Sequence, residues 1–270
     1  MTALLSINSL HLRLADGKEL VSNVSFSVAP GERVGLIGES GSGKSLTAMA
    51  AVGLLPDNIT ASGSVLLDGQ EVVGAPERSL NRLRGSAAAV VFQEPLTALD
   101  PLMRVGAQIA SPLRRRLLRE GGNPGKAGLR REVAAALAEV ALPEPERIAR
   151  AYPHEISGGQ RQRVAIAMAL SCRPKLLIAD EPTTALDVTT QAEILKLLDQ
   201  LVRERGMGLL FISHDLPVVA TIAERAIVLR AGRPVEEGPV GKVLSNPQDQ
   251  YTKQLVSAAR TFDEALEGRS

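Results

Sequence analysis

The 270-residue chain has one cysteine, Cys172, which excludes an internal disulfide and any cysteine-built zinc or iron–sulfur cage. The apolar residues before it read as a helix in which this thiol is buried. Charge of one sign is lacking too. With 31 basic and 30 acidic residues the formal net charge is +1, so no global field recruits nucleic acid. The local exception is Arg114-Arg115-Arg116 with Arg119, which reads as a solvated helix face. The longest apolar stretch, Leu46 to Leu55, falls short of the roughly 18 residues a membrane span needs, so membrane association is expected to come through a partner. The opening MTALLSINSL lacks a basic n-region and a small-residue cleavage site and reads as a strand rather than a signal peptide. Internal repeats, low-complexity segments and heptads are absent as well. A mixed α/β cytosolic protein of one large or two small domains fits this composition.

Against those absences stands Gly38-Glu39-Ser40-Gly41-Ser42-Gly43-Lys44-Ser45, directly after the apolar run Val34 to Ile37 and before an apolar helix that opens with Leu46. Glycines let the backbone adopt turns forbidden to other residues, so successive N–H groups can converge on phosphate oxygens. The helix starting near Lys44 adds its positive end. Lys44 is placed to reach the β and γ phosphates, and the Ser45 hydroxyl to sit on a bridging Mg2+. The chain is therefore expected to bind a nucleoside triphosphate.

Around this loop the period-2 pattern Leu10, Leu12, Leu14, then Val24, Phe26, Val28 across Asp16-Gly17 predicts an antiparallel hairpin. A second is predicted at Ser64 to Leu67 with Asp68-Gly69 as its turn, and Ala88 to Phe92 suits a buried strand. From about Leu96 to Leu170 helical patterns dominate: Val105 to Leu118, Leu129 to Leu142 and Arg161 to Leu170. Strand–helix alternation then resumes with a strand at Lys175 to Ala179, a helix from Val188 to Arg205, a strand at Gly208 to Ile212, a helix to Glu224 and a strand at Ala226 to Leu229. This alternation implies a mostly parallel sheet covered on both faces. The tail beyond Thr261 has too few apolar residues to demand order.

Further constellations gather at strand ends, where ligands collect on parallel sheets. The run Leu176 to Ala179 ends in Asp180-Glu181; Asp180 suits Mg2+ and Glu181 a general base that polarises the attacking water. His214 follows the apolar run Leu209 to Ile212 and suits a donor to the γ-phosphate, and Gln93 follows Ala88 to Phe92 and suits Mg2+ or water. Ser157-Gly158-Gly159-Gln160 forms a second anion nest at a helix start. A second nest makes sense if it closes over the nucleotide bound by a different subunit.

These motifs together resemble the ATP-binding cassette subunit of ABC transporters over roughly residues 4 to 258. By that resemblance residues 38–45 form the Walker A loop, Gln93 the Q-loop, Ile156 to Gln160 the signature, Leu176 to Glu181 Walker B, Ala185-Leu186-Asp187 the D-loop and His214 the switch histidine. Asp187 would then cross to the opposite site of a cassette dimer. The implied fold is an α/β P-loop NTPase (RecA-like) core with a mostly parallel sheet, an N-terminal antiparallel β subdomain and an inserted helical subdomain. The expected boundaries are 1–94 and 171–236 for the core, 95–170 for the helical subdomain and 237–270 for a C-terminal helical extension and tail. The cofactors implied are ATP and Mg2+, the latter on Ser45, Gln93 and Asp180.

The segments Phe92 to Pro101, Tyr152 to Leu170, Pro174 to Val188, His214 to Ala220 and Tyr251 to Leu255 resemble the dipeptide, oligopeptide and nickel importer branch. That likeness implies an ATP-hydrolysing importer subunit at the cytoplasmic face of the membrane. Its expected partners are a second cassette, a related paralogue or another copy, with two permeases and an extracytoplasmic binding protein, and no nucleic acid. Short peptides are the expected cargo, with nickel or a metal chelate as the alternative. A soluble cassette protein acting on ribosomes or DNA is the alternative from another class. The branch's frequent C-terminal cysteine cluster is missing here.

A second departure concerns adenine. The family usually offers an aromatic ring at the end of its first strand, whereas the matching position here is Leu14, in a chain with only two tyrosines and four phenylalanines. Stacking on a ring is typically worth about 1–3 kcal/mol, so Leu14→Tyr is expected to tighten ATP binding by up to about two orders of magnitude. A nucleotide titration checks this, and unchanged affinity would mean that another group already supplies the stack.

Overall fold

The computed structural model describes residues 2–184 and 186–267. First along the chain come β1 (Leu5–Leu14), β2 (Glu19–Val28), β3 (Arg33–Ile37), α1 (Lys44–Ala51), β4 (Ile59–Leu67), β5 (Gln70–Glu71) and α2 (Glu77–Leu83). The middle holds β6 (Ala88–Val91), α3 (Pro95–Ala98), α4 (Val105–Arg119), α5 (Lys126–Glu139), α6 (Pro145–Arg150), α7 (Gly158–Leu170), β7 (Leu176–Asp180) and α8 (Val188–Arg205). Last are β8 (Gly208–Ser213), α9 (Leu216–Ile222), β9 (Arg225–Arg230), β10 (Arg233–Pro239), α10 (Val240–Ser245) and α11 (Gln250–Glu267). The chain divides into two compact units, one formed by the segments up to Leu83 and from Gly206 onward, the other by Arg84–Arg205.

The first unit contains an antiparallel sheet in the order β2-β1-β4-β5. Its hairpins form where alternation and turn residues predict them: β1 pairs with β2 across Asp16-Gly17, and β4 with β5 across Asp68-Gly69. Both residues of the second turn have positive φ, 49° and 76°, which matches the twist of a two-residue hairpin. In the same unit β3 lies between β8 and β9, parallel to both, and β10 runs antiparallel to β9. Val34, Leu36, Ile37 and every residue of β8 are buried, as expected of strands covered on two faces. The packing of α9 on β3 requires Gly35, because a Cβ there would overlap a methyl of Val219 and meet Ala223 at 3.3 Å.

In the second unit β6 and β7 pair in parallel, with Ala88 opposite Leu176. Val105, Ile109 and Leu113 of α4, Val133 and Leu137 of α5 and Ile148 of α6 are buried at the spacing of helix stripes. Elements that periodicity did not reveal are α2, α3, α6, β10 and α10, all of seven residues or fewer.

Three expectations change. Cys172 is not within the helix: α7 ends at Leu170, and Cys172 is half-buried in the turn that follows, its Sγ 3.6 Å from the Pro112 carbonyl. Burial raises its thiol pKa, and the positive charges of Arg119, Arg116 and Arg115 oppose that rise. Arg114, Arg115 and Arg119 are exposed, but Arg116 is buried. Its guanidinium donates to the Ser171 carbonyl at 3.2 Å and to Glu132 at 3.0 Å, so it ties α4 to α5 and to the end of α7. The tail is also not left without structure, since α11 carries the backbone as helix to Glu267.

Gly35→Ala is expected to destabilise the first unit by about 1–3 kcal/mol, the usual cost of forcing a methyl into a packed interface. A lowered urea midpoint at unchanged m-value measures it; an unmoved midpoint would mean that α9 yields freely.

Candidate nucleotide-binding site

The glycine-rich loop leaves β3 at Ile37 and enters α1 at Lys44. A Cβ on Gly38 would overlap the Leu229 carbonyl oxygen and lie 2.6 Å from Ser42 Oγ, so only glycine lets the loop run against the end of β9. Gly43 caps α1 with φ 97°, and a Cβ there would come within 2.9 Å of Val21. The Gly232 amide donates to the Ser42 carbonyl at 3.0 Å, and the Gly232 carbonyl accepts from Ser22 at 2.8 Å, which fastens the loop to β2.

Within this clamp Glu39, Ser40 and Gly41 are exposed, Gly38 and Ser42 buried, and Ser45 and Leu46 half-buried. Lys44 is 4% exposed, and its Nζ donates to the carbonyls of Gly38 at 2.8 Å and Glu39 at 2.9 Å. The α1 start has no side-chain cap. Ser42 Oγ is buried without a hydrogen-bond partner. Buried polar groups are normally satisfied, so an orphaned hydroxyl at a helix start beside a buried ammonium fits a phosphate ligand.

The first unit also places His214, exposed, one residue past β8. The loop around it is fixed by Asp215, whose amide donates to Ser213 Oγ at 3.0 Å and whose carboxylate caps α9 through the Val218 amide at 3.3 Å. Leu14 is half-buried at the end of β1, where its amide donates to the Lys18 carbonyl at 2.9 Å.

The second unit carries the remaining candidates. Gln93 is exposed, two residues beyond β6. Asp180, 6% exposed, ends β7. Glu181, half-buried, has φ 46°, a left-handed conformation that costs a non-glycine residue about 1–2 kcal/mol. Thr184 Oγ1 donates to its Oε2 at 3.0 Å. Sequence reading missed both the strained backbone and the threonine partner; backbone strain at a residue other than glycine has no local signature.

The same unit brings the second nest and Asp187 together. Ser157 Oγ accepts from the Gln160 amide at 3.3 Å, and Gln160 Oε1 accepts from the Ser157 amide at 3.0 Å, a reciprocal cap on α7. A Cβ on Gly158 would lie 3.8 Å from Leu186 Cδ2, and one on Gly159 would lie 2.7 Å from Thr190 Cγ2, so α7 and α8 start close together. Asp187 caps α8, accepting from the Thr190 amide at 3.0 Å and the Thr190 hydroxyl at 2.8 Å. Those bonds, led by the Thr190 amide, hold its carboxyl below the usual aspartate value. Of the expected D-loop, Ala185 lies outside the described residues.

Among the described residues no three histidine, cysteine, aspartate or glutamate side chains form a metal cluster. Ser45 in the first unit offers a hydroxyl, and Asp180 and Gln93 in the second offer a carboxylate and an amide oxygen, each a donor of the kind that Mg2+ takes. No helix among those residues is long and apolar enough to cross a membrane.

The ABC transporter family matches residues 21–184. The chain is 46% identical over 263 residues to the oligopeptide transport ATP-binding protein OppD of Salmonella typhimurium, covering 96% of this chain and 77% of that protein. It is 47% identical over 260 residues to the peptidoglycan transport ATP-binding protein YejF of Agrobacterium fabrum, covering 94% of this chain and 47% of that one, so it spans about half of this relative. The solved structure of the ATP-binding cassette MJ0796, a dimer in a post-hydrolysis state bound to ADP and Pi, superposes with a TM-score of 0.76 at 29% identity over 87% of this chain and 98% of that one. This chain belongs to the ABC transporter family. It is an ATP-binding cassette with the P-loop NTPase fold, and its enzymatic activity is ATP hydrolysis.

Thr190→Ser removes the methyl that faces Gly159 and keeps the hydroxyl on Asp187, so it should relieve the crowding that Gly159→Ala introduces. Gly159→Ala alone is expected to speed amide hydrogen exchange in the first turns of both α7 and α8, and the double variant to restore it. Unchanged exchange in α8 would mean that the two helix starts are uncoupled.

Proposed function

We propose that this chain is the ATPase subunit of a multi-subunit importer of di- and oligopeptides, working at the cytoplasmic face of the membrane. Its partners in this reading are a second cassette, two permease subunits and an extracytoplasmic binding protein. The observation that carries it is the 46% identity to OppD across 96% of the chain. The name of YejF supports a second cargo, peptidoglycan fragments.

In the proposed mechanism the residues 38–43 wrap the phosphates with amides, and Lys44 neutralises charge on the β and γ phosphates. Ser45, Asp180 and Gln93 would hold Mg2+, which would supply charge neutralisation to the phosphates. Glu181 takes the proton of the attacking water, and His214 donates to the γ-phosphate. Ser157, Gly158, Gly159 and Gln160 meet the nucleotide held by the other cassette, and Asp187 helps set the geometry of that opposite site. ATP thus joins two cassettes, and loss of the γ-phosphate lets them separate. The permease moves because ATP and ADP differ in affinity for the closed pair.

Glu181→Gln is expected to lower turnover by about 10²- to 10⁴-fold, the range of a general base, while ATP still binds and a closed dimer accumulates. Hydrolysis at the parental rate would remove Glu181 from the role of base. Ser157→Arg is expected to abolish transport with nucleotide binding by the chain retained, and unimpaired pumping would refute closure over a shared nucleotide. Uptake of labelled dipeptides against labelled peptidoglycan fragments in the assembled transporter decides the cargo.

A further inference from the structure

Tyr251, in the first turn of α11, is 3% exposed, and its hydroxyl oxygen accepts the Glu39 amide at 3.0 Å from a position 212 residues along the chain. The ring packs under the Arg230 guanidinium, 5.0 Å from its centroid, a cation–π arrangement that holds it in place. Burial raises the phenol pKa, so the hydroxyl stays protonated at physiological pH.

The first turn of α11 is itself fastened to β10. The two Glu236 oxygens accept from the amides of Gln248 at 2.9 Å and Asp249 at 3.0 Å, and Asp249 accepts from the Tyr251 amide at 2.8 Å. Burial favours a neutral Glu236, but those amides outweigh it and keep the carboxyl below its usual value. A charged strap thus runs from β10 through α11 to the phosphate loop.

On that loop the bond falls at a mechanical point. Lys44 Nζ holds the carbonyls of Gly38 and Glu39, and Tyr251 holds the amide between them. The peptide joining Gly38 to Glu39 is therefore gripped at its oxygen by one side chain and at its nitrogen by another. Preorganised amides bind phosphate well because no reorganisation is needed when the ligand arrives.

We propose that Tyr251 is a positioning residue for the phosphate loop, and that through its hydroxyl the C-terminal helix sets affinity for the β- and γ-phosphates of the nucleotide. This rests on the reading of residues 38–45 as the triphosphate site. Tyr251 does not touch the nucleotide in this role; it acts through the Glu39 peptide.

The test is Tyr251→Phe, which keeps the ring under Arg230 and removes only the acceptor. Losing one such bond is expected to raise the dissociation constants of ATP and ADP by about 3- to 10-fold. AMP binding should not change, because AMP does not reach the loop's β-phosphate cradle. The KM for ATP should rise in step with the dissociation constant while kcat stays within about twofold, and the thermal midpoint of the nucleotide-free chain should stay within a few degrees. Arg230→Gln, which leaves the hydroxyl but frees the ring, should shift ADP affinity in the same direction by less. Unchanged ADP affinity in Tyr251→Phe, equal weakening of AMP and ADP, or a fall in kcat and thermal midpoint at constant KM each overturns the proposal. Lys44→Ala separates it from the reading on which it rests. If Lys44→Ala binds ATP as the parent does, the assignment of the phosphate site fails; if it loses ATP while Tyr251→Phe binds normally, only the role of Tyr251 fails.

Discussion

The phosphate loop depends on backbone touching backbone. Gly38 runs against the Leu229 carbonyl at a distance that no other residue type allows, and Gly43, in a left-handed conformation, runs against the Val21 side chain. This contact fixes where the loop amides point, and amides whose direction is fixed can hold an anion without a large local charge. It also explains how a chain with a formal net charge of +1 can bind a polyanion: the positive potential comes from dipoles and one buried ammonium, not from a basic surface. Burying Lys44 would be costly alone, and the carbonyls of Gly38 and Glu39 offset that cost.

The two anion nests are built differently. The helix after the phosphate loop starts from a left-handed glycine with no side-chain cap. The helix after Ser157 is closed by its own capping box, which occupies the Gln160 amide and the Gln160 side chain. An uncapped end is the better permanent anion site, and a capped end is the more stable free helix. A capped nest that keeps its helix intact between encounters suits a surface that meets its anion only intermittently, as a proposed second half of a shared site would.

Much of this was legible in the residues. The glycine spacing located the loop, period-2 alternation located the hairpins, and apolar runs located the buried strands β3, β7 and β8. Arg116 is masked by its charged neighbours, although it continues the stripe Val105, Ile109, Leu113 of α4; its burial follows from helix period once charge is set aside. Cys172 escaped because helix ends are poorly marked: nothing in Leu170-Ser171-Cys172 breaks the apolar pattern before Arg173 turns to φ 52°. The bond between Glu39 and Tyr251 was beyond reach for another reason. Its partners are distant in sequence, and one of them is a backbone group that carries no side-chain signature.

Glu181 shows why two adjacent carboxylates can do different work. Successive residues of a strand point to opposite faces, so a continuing β7 would send Asp180 and Glu181 to opposite sides of the sheet. The strand instead stops at Asp180, and Glu181 takes φ 46°, which breaks the alternation at the residue where it matters. The left-handed backbone is costly and is held by local bonds such as that from Thr184. Strain kept at a residue with a reactive side chain, and not relieved by a glycine there, is a feature that clusters at working sites. Asp180 remains buried at the strand end while Glu181 is half-exposed. That contrast matches a fixed ligand beside a group that must exchange protons with water, so the division of labour proposed for the pair follows from their different environments and not from their identity as acids.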